Sequence, residues 1–239
     1  MRAVAVIPAR IASTRLPRKA MRLIAGQPMI QRVYQAVRFS PLLADVVVAT
    51  DSAEIFDFCR ARQMHVLLTS EQCRSGTDRV QEAAAQLQAD VLVNVQGDEP
   101  LTRPEHIAAL LETMQDGVQV GTLKTPMSRE AAQDPNIVKV VTGAGGRALY
   151  FSRLALPFDR DRQGAPCYKH LGFYAYRREA LDRFVRWPES ELERAERLEQ
   201  LRFLENGVDL YVAATSFDTV GVDTEEDLKR VEEILTHDS

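Results

Sequence analysis

Cysteine is scarce in this sequence of 239 residues, and none of its apolar runs is long. The three cysteines, Cys59, Cys73 and Cys167, show no paired spacing. That pattern predicts free thiols in a cytoplasmic protein and argues against a disulfide framework or a zinc site. No stretch approaches the roughly 20 apolar residues of a membrane span, and arginines follow the first apolar run at once, so we expect neither a signal peptide nor membrane insertion.

Several familiar motifs are also missing. The chain has no GxGxxG loop, no Walker loop, no Ser-His-Asp order and no metalloprotease helix, and nothing suggests a covalent intermediate. The net charge of −4 gives no general attraction to nucleic acid. Because repeats, low-complexity tracts and linkers are absent too, we predict one domain over residues 1–239 with an elaborated second half.

Predicted strands and helices alternate along the first half, which favours an α/β fold with a mostly parallel central sheet flanked by helices. There the strands are predicted at 3–7, 45–49, 66–68 and 91–95, and the helices at 29–39, 53–62, 79–88 and 106–114. The second half forms a more mixed subregion, with strands at 118–124, 138–141, 171–176 and 209–214 and helices at 180–186, 191–205 and 224–235. If strands 3–7, 46–49 and 91–95 are parallel neighbours, Arg10, Asp51 and Asp98 share one edge of the sheet.

A basic loop follows the first strand. It carries Arg10, Arg15, Arg18 and Lys19 within ten residues, with the hydroxyls of Ser13 and Thr14 between them. Ligands of open α/β sheets bind at the carboxyl ends of strands, where hydroxyls, backbone N–H groups and cations together hold a triphosphate. The alternative interpretation is a solvated basic turn.

Two acidic positions are candidates for binding a cation. Asp98 and Glu99 follow Gly97 at a strand end, where a carboxylate takes Mg²⁺ and the glycine admits a phosphate, unless the acids only cap a turn. Asp223 precedes the last predicted helix, and a helix cap is its simplest role. The spacing of Thr224 and Asp227 fits a capping box at the same place.

Three weaker signals remain. The hydroxyl-rich stretch from Ser75 to Arg79 suits either a base or ribose contact or a helix N-cap. Strand periodicity puts His170, Tyr174 and Tyr176 on one face, which suits a sugar pocket, although a lone histidine is more often structural. Taken alone, Glu199 and Gln200 read as part of a solvated helix face.

The chain resembles the CMP-Kdo synthetase (3-deoxy-manno-octulosonate cytidylyltransferase) family. The resemblance runs in the family's order from residue 7 to residue 228, over nearly the whole chain. The matching segments are IPARIASTRLPRK, VVVATD, SGTDR, VNVQGDEP, PNIVKVV, ALYFSR, KHLGFYAYR, LEQLRFLENG and GVDTEEDL. The LPxK loop also occurs in other sugar-nucleotide synthetases, whereas the conjunction of QGDEP, ALYFSR, HLGFYAY and LEQLR is specific to this family.

The resemblance implies a single-domain nucleotidyltransferase, usually a homodimer, that transfers CMP from CTP to 3-deoxy-D-manno-octulosonate (Kdo) with Mg²⁺. Its products would be pyrophosphate and CMP-Kdo, and CMP-Kdo would serve lipopolysaccharide biosynthesis. It implies a nucleotide-binding half over about 1–100 and a sugar-binding and dimerisation half over about 101–239. Residues implied to bind the nucleotide are Arg10, Arg15, Lys19, Ser75, Gly76, Thr77 and Arg79. Those implied to surround the sugar acid are Gln96, Arg153, Arg160, His170, Tyr174, Glu199 and Gln200. Asp98 and Asp223 are implied to hold Mg²⁺, and both are implied to be catalytic together with Arg15 and Lys19.

One departure and three alternatives accompany this resemblance. The family's loop usually reads LPGKP, whereas Arg18 replaces the glycine here, which strains the backbone if that glycine has a positive φ. The alternatives are a cytidylyltransferase for an analogue such as 8-amino-Kdo, a nucleotide- and sugar-binding module without turnover, and a GT-A-like glycosyltransferase. Two retained aspartates argue against the binding module, and the strand end reads Gly-Asp-Glu-Pro where the glycosyltransferase would carry a DxD motif.

Overall fold

The structure is a computed structural model that describes residues 1–13 and 15–237. Thr14, one of the hydroxyl residues predicted to line the basic loop, lies outside the described residues. The chain forms two compact units: the first comprises Met1–Ile107 and the chain from Thr219 onward, and the second comprises Ala108–Asp218. The functional division near residue 100 stays a prediction, but the C-terminal segment belongs with the first half of the chain.

The first unit is built on four parallel strands in the order β6-β1-β4-β5. Its elements are β1 (Ala3–Ala9), β2 (Leu23–Ile24), β3 (Gln27–Pro28), α1 (Met29–Arg38), β4 (Asp45–Thr50), α2 (Ala53–Ala61), β5 (Val66–Leu68), α3 (Gly76–Ala84) and β6 (Val91–Asn94). Strand β1 is buried along its whole length between β4 and β6, which explains its continuous apolar run. In this unit the prediction of parallel strands alternating with helices is confirmed.

The register brings the strand ends to one edge. Val6 lies opposite Val47 on one side and Asn94 on the other, so the segments after Ala9, Thr50 and Asn94 leave the sheet together. The predicted sharing of this edge by Arg10, Asp51 and Asp98 is confirmed at the level of strand order. Strand β1 continues through Pro8 because β6 has already ended opposite Val6, so no β6 carbonyl requires an N–H from the proline.

Helix α4 (Pro104–Glu112) leads from the first unit into the second. The second unit contains β7 (Val120–Met127), β8 (Lys139–Thr142), β9 (Ala148–Ser152), β10 (Cys167–Arg177), α5 (Arg178–Phe184), α6 (Glu191–Glu196), α7 (Leu201–Glu205) and β11 (Leu210–Ala214). Strand β7 pairs antiparallel with β10 and parallel with β11, and β8 pairs antiparallel with β9 and β10. The predicted mixed character of the second half is confirmed. Helix α8 (Glu225–His237) then returns to the first unit.

Two features of the second half differ from the sequence prediction. The single helix expected over 191–205 is wrong, because Arg197 adopts the left-handed conformation (φ 56°) and separates α6 from α7. Strand β9 was not predicted, since its exposed Leu149 interrupts the alternation expected of a half-buried strand. In the part of the chain that the structure describes, no helix has the length and apolar character needed to cross a membrane.

Candidate functional site

The centre of the candidate site is an ion cluster in the first unit. The Lys19 ammonium donates to Asp98 Oδ2 and, at 2.9 Å, to Asp223 Oδ1. Arg15 Nη2 lies 2.9 Å from Asp223 Oδ2. We refer to Asp98 and Asp223 as the acidic pair. The sequence-predicted catalytic residues Arg15, Lys19, Asp98 and Asp223 are therefore in contact with one another.

Backbone contacts explain why the acidic pair converges although its members are far apart in sequence. Val222 N–H donates to the carbonyl of Asp98 at 2.9 Å, so the segment before α8 lies along the loop after β6. The buried Glu99 accepts a 2.6 Å hydrogen bond from Thr219 Oγ1 and fixes the same two segments. Gly97 is required for packing at this loop, because a Cβ there would lie 2.9 Å from the carbonyl oxygen of Pro8.

Asp223 is not the cap of α8. Thr224 and Asp227 form the predicted capping box, in which Asp227 N–H donates to Thr224 Oγ1 at 3.2 Å and Thr224 N–H donates to Asp227 Oδ2 at 2.9 Å. The backbone N–H of Asp223 also donates to Asp227 Oδ2 at 3.0 Å. The Asp223 carboxylate is thereby left to face Lys19 and Arg15, and the simplest sequence interpretation of this residue is wrong.

The electrostatics of the cluster keep Lys19 charged. Burial lowers the pKa of this lysine, but the charges and hydrogen bonds of Asp98 and Asp223 outweigh that effect and raise the pKa above its ordinary value. The Lys19 side chain is only 19% exposed, compared with 66% for Arg15. The site thus presents one held cation and one largely solvated cation beside two carboxylates.

The acidic pair has a donor set that suits a divalent cation. Both carboxylates already direct an oxygen at a single positive centre, the Lys19 ammonium. Mg²⁺ is commonly held by one or two carboxylates together with phosphate oxygens and water. Over residues 1–13 and 15–237, no cluster of three or more His, Cys, Asp or Glu side chains suits a metal.

Arg18 departs from the backbone geometry of ordinary residues. It has φ 57° and ψ 33°, which is the left-handed region, so the strain anticipated for an arginine in place of glycine is confirmed. Its guanidinium pairs with Glu54 in the first turn of α2. Arg10 is exposed at the start of the same basic loop.

The stretch from Ser75 to Arg79 opens α3. Ser75 is the N-cap, with Asp78 N–H donating to its Oγ at 3.2 Å and Asp78 completing a capping box. The buried Arg79 forms an ion pair in which its Nη2 lies 2.6 Å from Asp51 Oδ2, and its Nη1 donates a hydrogen bond to Thr69 Oγ1. Thr77 is buried. These side chains hold the loop together, and their predicted nucleotide contacts stay a prediction.

Gln96 lies beside this loop in the first unit. A Cβ on Gly76 would come within 3.3 Å of Gln96 Oε1, so glycine permits the close approach. Gln96 Nε2 donates to Asn94 Oδ1 at 3.2 Å. The predicted sugar-contacting amide is therefore oriented by the end of β6.

In the second unit His170 belongs to a buried aromatic row. Its ring centroid lies 5.5 Å from that of Tyr174, and Tyr174 stacks on Tyr176 at 5.6 Å. The predicted common face is confirmed, although β10 bulges between Leu171 and Tyr174. The face survives because His170 and Tyr174 pair with Lys124 and Thr122, which are two residues apart on β7.

His170 is held as a neutral ring. Desolvation lowers its pKa to about 3. Thr122 Oγ1 donates its proton to the carbonyl of Phe173 at 2.7 Å, so it accepts from His170 Nε2 at 2.9 Å, and Nδ1 is left as an acceptor. Burial likewise raises the pKa of Tyr174 well above its ordinary range.

Arg153 sits in a polar network that the sequence prediction missed. Its Nε and Nη1 donate to the carbonyls of Glu196 at 2.8 Å and Pro135 at 3.0 Å. Its own carbonyl accepts from Lys139, a fully buried lysine that also donates to Asp134 and Ile137 carbonyls. The lysine within the apolar run of β8 was the sequence feature that could have indicated this buried network.

The remaining predicted sugar contacts occupy different environments. Glu199, which is half-buried, and Gln200, which is buried, lie in the turn between α6 and α7, and their placement inside one helix is wrong. Arg160 is exposed in the loop between β9 and β10. Their contacts with a sugar acid stay predictions.

Comparisons with known proteins agree on one family. The cytidylyltransferase family model matches residues 4–210. The chain is 66% identical to the 3-deoxy-manno-octulosonate cytidylyltransferase of Koribacter versatilis, over 98% of this chain and 90% of that one. It is 55% identical to the protein of the same name from Acidobacterium capsulatum, over 96% of this chain and 95% of that one.

Solved structures extend the comparison to three dimensions. A CMP:2-keto-3-deoxy-manno-octonic acid synthetase complexed with CTP superposes with a TM-score of 0.96 at 39% identity, and the match covers 100% of both chains. A cytidylyltransferase from Leptospira borgpetersenii, at 16% identity and a TM-score of 0.66, shares the fold over 99% of this chain and 87% of that one. The predicted α/β fold class is thus confirmed, and the chain belongs to the cytidylyltransferase family, among the 3-deoxy-manno-octulosonate cytidylyltransferases.

Proposed function

We propose that this enzyme transfers CMP from CTP to Kdo and releases pyrophosphate. The observation that carries the proposal is the meeting of Lys19 and Arg15 with the acidic pair at the strand-end edge of the first unit. The names of relatives at 66% and 55% identity support CTP and Kdo as the substrates. The nucleotidyl transfer itself follows from membership of the family.

The reaction requires positioning and charge neutralisation more than covalent help. The anomeric hydroxyl of Kdo attacks the α-phosphorus in line and passes its proton to water, while the bond from that phosphorus to the bridging oxygen breaks and pyrophosphate leaves. In our proposal Arg15 and Lys19 lie along the triphosphate and stabilise the negative charge that develops on pyrophosphate. Arg10, Ser75, Gly76, Thr77 and Arg79 bind the remainder of the nucleotide.

The acidic pair is proposed to hold Mg²⁺. Two carboxylates converging on one cation fit the protein's share of such a site. When bound, the ion would polarise the α-phosphate and neutralise its charge. The chain itself positions the two carboxylates: the loop after β6 holds Asp98, and the capping box of α8 holds Asp223.

We propose that the sugar acid is bound by Gln96, Arg153, Arg160, His170, Tyr174, Glu199 and Gln200. Arginines suit the carboxylate of Kdo, and the others suit its hydroxyl groups. His170, neutral because desolvation holds its pKa near 3, acts here as a hydrogen-bonding group and not as a charged one.

Pyrophosphate release measured with CTP, Mg²⁺ and Kdo, each omitted in turn, tests this function. We expect release only when all three are present. Release with 8-amino-Kdo but not with Kdo would change the substrate and keep the mechanism. Tight CTP binding without release on any acidic sugar would contradict the proposal and favour a binding module.

Replacing Asp98 tests the acidic pair. We expect Asp98→Asn to lower turnover at least about 100-fold, because the variant loses one of the two carboxylates proposed to hold the divalent cation beside the reacting phosphates. Circular dichroism should show an unchanged fold. Asp116→Asn, at an exposed aspartate, is the matched control and should keep full turnover. Near-normal rates in folded Asp98→Asn would refute the role.

We also propose a homodimer that works in the cytoplasm, with a product destined for lipopolysaccharide assembly. The family resemblance and the three free cysteines support this setting. Light scattering on the eluting peak of a sizing column tests the dimer, and a monomer mass at micromolar concentration would contradict it.

A further inference from the structure

The ammonium of Lys19 occupies the place between the two carboxylates where a cation would bind. We propose that Lys19 is an internal competitor for that cation: it neutralises the acidic pair until a triphosphate draws it away, so that the divalent ion binds with the nucleotide and not before it. This inference rests on the proposed role of Asp98 and Asp223 as cation ligands. It assigns Lys19 a second task besides contacting phosphate.

The geometry leaves little room for a second cation at the pair. Lys19 takes Asp98 Oδ2 and Asp223 Oδ1, and Arg15 takes Asp223 Oδ2. Three of the four carboxylate oxygens thus already face a positive charge. A divalent ion that entered this arrangement would have to displace an ammonium from a side chain that is 19% exposed, where charge pairing is stronger than in open water.

The charges of the cluster explain why the nucleotide would release the competitor. Two carboxylates balance Lys19 and Arg15, so the cluster carries no net charge as it stands. A divalent cation alone would add two uncompensated positive charges. A triphosphate supplies negative oxygens for both basic side chains, and the acidic pair then becomes available to the divalent ion.

The competitor can move without a change in the sheet. Lys19 begins a short 3-10 helix (Lys19–Met21), and its ammonium sits on a flexible four-carbon stem. Arg15 is largely exposed. Because the coupling between two ligands is reciprocal, whatever the nucleotide adds to cation affinity the cation must add to nucleotide affinity.

Mn²⁺ binding to the nucleotide-free protein tests the inference, with the free ion followed by electron paramagnetic resonance. We expect Lys19→Met to bind Mn²⁺ at least about tenfold more tightly than the wild type. This gain follows if Lys19 is away from the acidic pair in at most about a tenth of the wild-type molecules. Lys19→Gln, which also lacks the charge but keeps a donor, should show the same gain. Circular dichroism of both variants checks the fold.

Two controls separate competition from simple charge removal. Arg18→Met removes one positive charge from the adjacent residue, whose partner is Glu54, and should change Mn²⁺ affinity by no more than about twofold at 0.15 M salt. The double variant Lys19→Met with Asp98→Asn should lose the gain. Equal affinity in wild type and Lys19→Met, or a gain that survives in the double variant, would overturn the inference.

The outcome is distinguishable from a failure of the proposed reaction. The binding assay contains neither CTP nor Kdo, so inactivity in pyrophosphate release leaves its result unaffected. Conversely, full wild-type activity together with no gain in Lys19→Met would leave the reaction in place and remove only the competitor.

Discussion

Arg18 adopts a left-handed backbone conformation that is unfavourable for a residue with a side chain. An L-residue in the left-handed region costs about 1 kcal/mol or more relative to glycine. Arg18 is held there at φ 57°, and its side chain pairs with Glu54. An exposed ion pair of this kind is worth at most about 1 kcal/mol, so the pair offsets no more than about that much of the strain.

We predict that Arg18→Gly is more stable than Arg18→Ala by about 1 kcal/mol, because only glycine relieves the strain at a positive φ. Both variants lack the ion pair with Glu54, so each is the matched control of the other. Urea unfolding monitored by fluorescence measures the difference. Equal free energies of unfolding would show that the left-handed geometry of residue 18 is not maintained in solution.

His170 predicts a pH dependence of stability. Its pKa is about 3 in the folded protein because burial disfavours the charged ring, whereas an unfolded histidine titrates near 6.5. Between these values the unfolded state binds more protons, so stability falls as the pH is lowered. From pH 6.5 to 5 the wild type should lose up to about 2 kcal/mol through this one ring.

The matched variants His170→Gln and His65→Gln check that dependence. His65 is on the surface beside Asp45, so His65→Gln should retain the acid sensitivity of the wild type. His170→Gln should show a shallower fall in its free energy of unfolding between pH 6.5 and 5. Parallel curves for the two variants would contradict the neutral buried ring.

At the residue scale the sequence predicted the cluster but not its contacts. The strand pattern placed Asp98 and the basic loop with Arg15 and Lys19 at the carboxyl ends of strands. The catalytic roles of these residues and of Asp223 were implied by the family resemblance. Lys139 was missed, because its stabilising partners are backbone carbonyls from Asp134, Ile137 and Arg153 that only the folded second unit brings together.

At the scale of elements, helix α8 is the clearest case of local sequence deciding structure. Its capping box was predicted from Thr224 and Asp227, and the same box fixes the backbone of Asp223. Burial raises the pKa of Asp227, but hydrogen bonds from Thr224 and from backbone N–H groups outweigh it, so the pKa is lowered. The cap therefore stabilises at neutral pH and weakens as acid protonates this carboxylate.

We predict that Asp227→Ala costs about 1 kcal/mol of stability through loss of the cap. It should also reduce turnover, because Asp223 N–H loses its acceptor and the acidic pair loosens. Thermal unfolding and pyrophosphate release measure the two effects. Glu226→Ala, an exposed neighbour in the same first turn, is the control and should change turnover little. An Asp227→Ala variant with full turnover would contradict the dependence of the acidic pair on the capping box.

The elements of the second half show where local patterns stop being sufficient. Helical periodicity continues through residues 191–205, yet Arg197 interrupts it without glycine or proline. Glu196 provides the physical reason, since its carboxylate accepts from Ser152 Oγ at the end of β9 (2.6 Å) and from the N–H of Arg153 just after that strand (2.9 Å). A tertiary contact of this kind leaves no mark in the helix's own sequence.

At the scale of the whole molecule, the first unit is discontinuous in the chain. Residues from Thr219 onward supply Asp223 and pack Leu228 and Val231 in its interior. We predict that a chain ending at Asp218 has no measurable turnover and a melting temperature lowered by several degrees, since it loses buried apolar surface as well as Asp223. A chain ending at His237 should match the full protein. Retained cooperative unfolding at the wild-type temperature would contradict this dependence.

Because the C-terminal segment completes the first unit, the site cannot assemble until that segment has been synthesised. Glu99 and its partner Thr219 are 120 positions apart in the sequence, and Lys19 and Asp223 are 204 positions apart. At about 5–20 residues per second, a ribosome needs roughly 6 to 24 s to synthesise the stretch between Glu99 and Thr219. During that interval the nascent chain has its basic loop and Asp98 but lacks Asp223. If the acidic pair has the role proposed above, catalysis cannot begin until Asp223 has been synthesised.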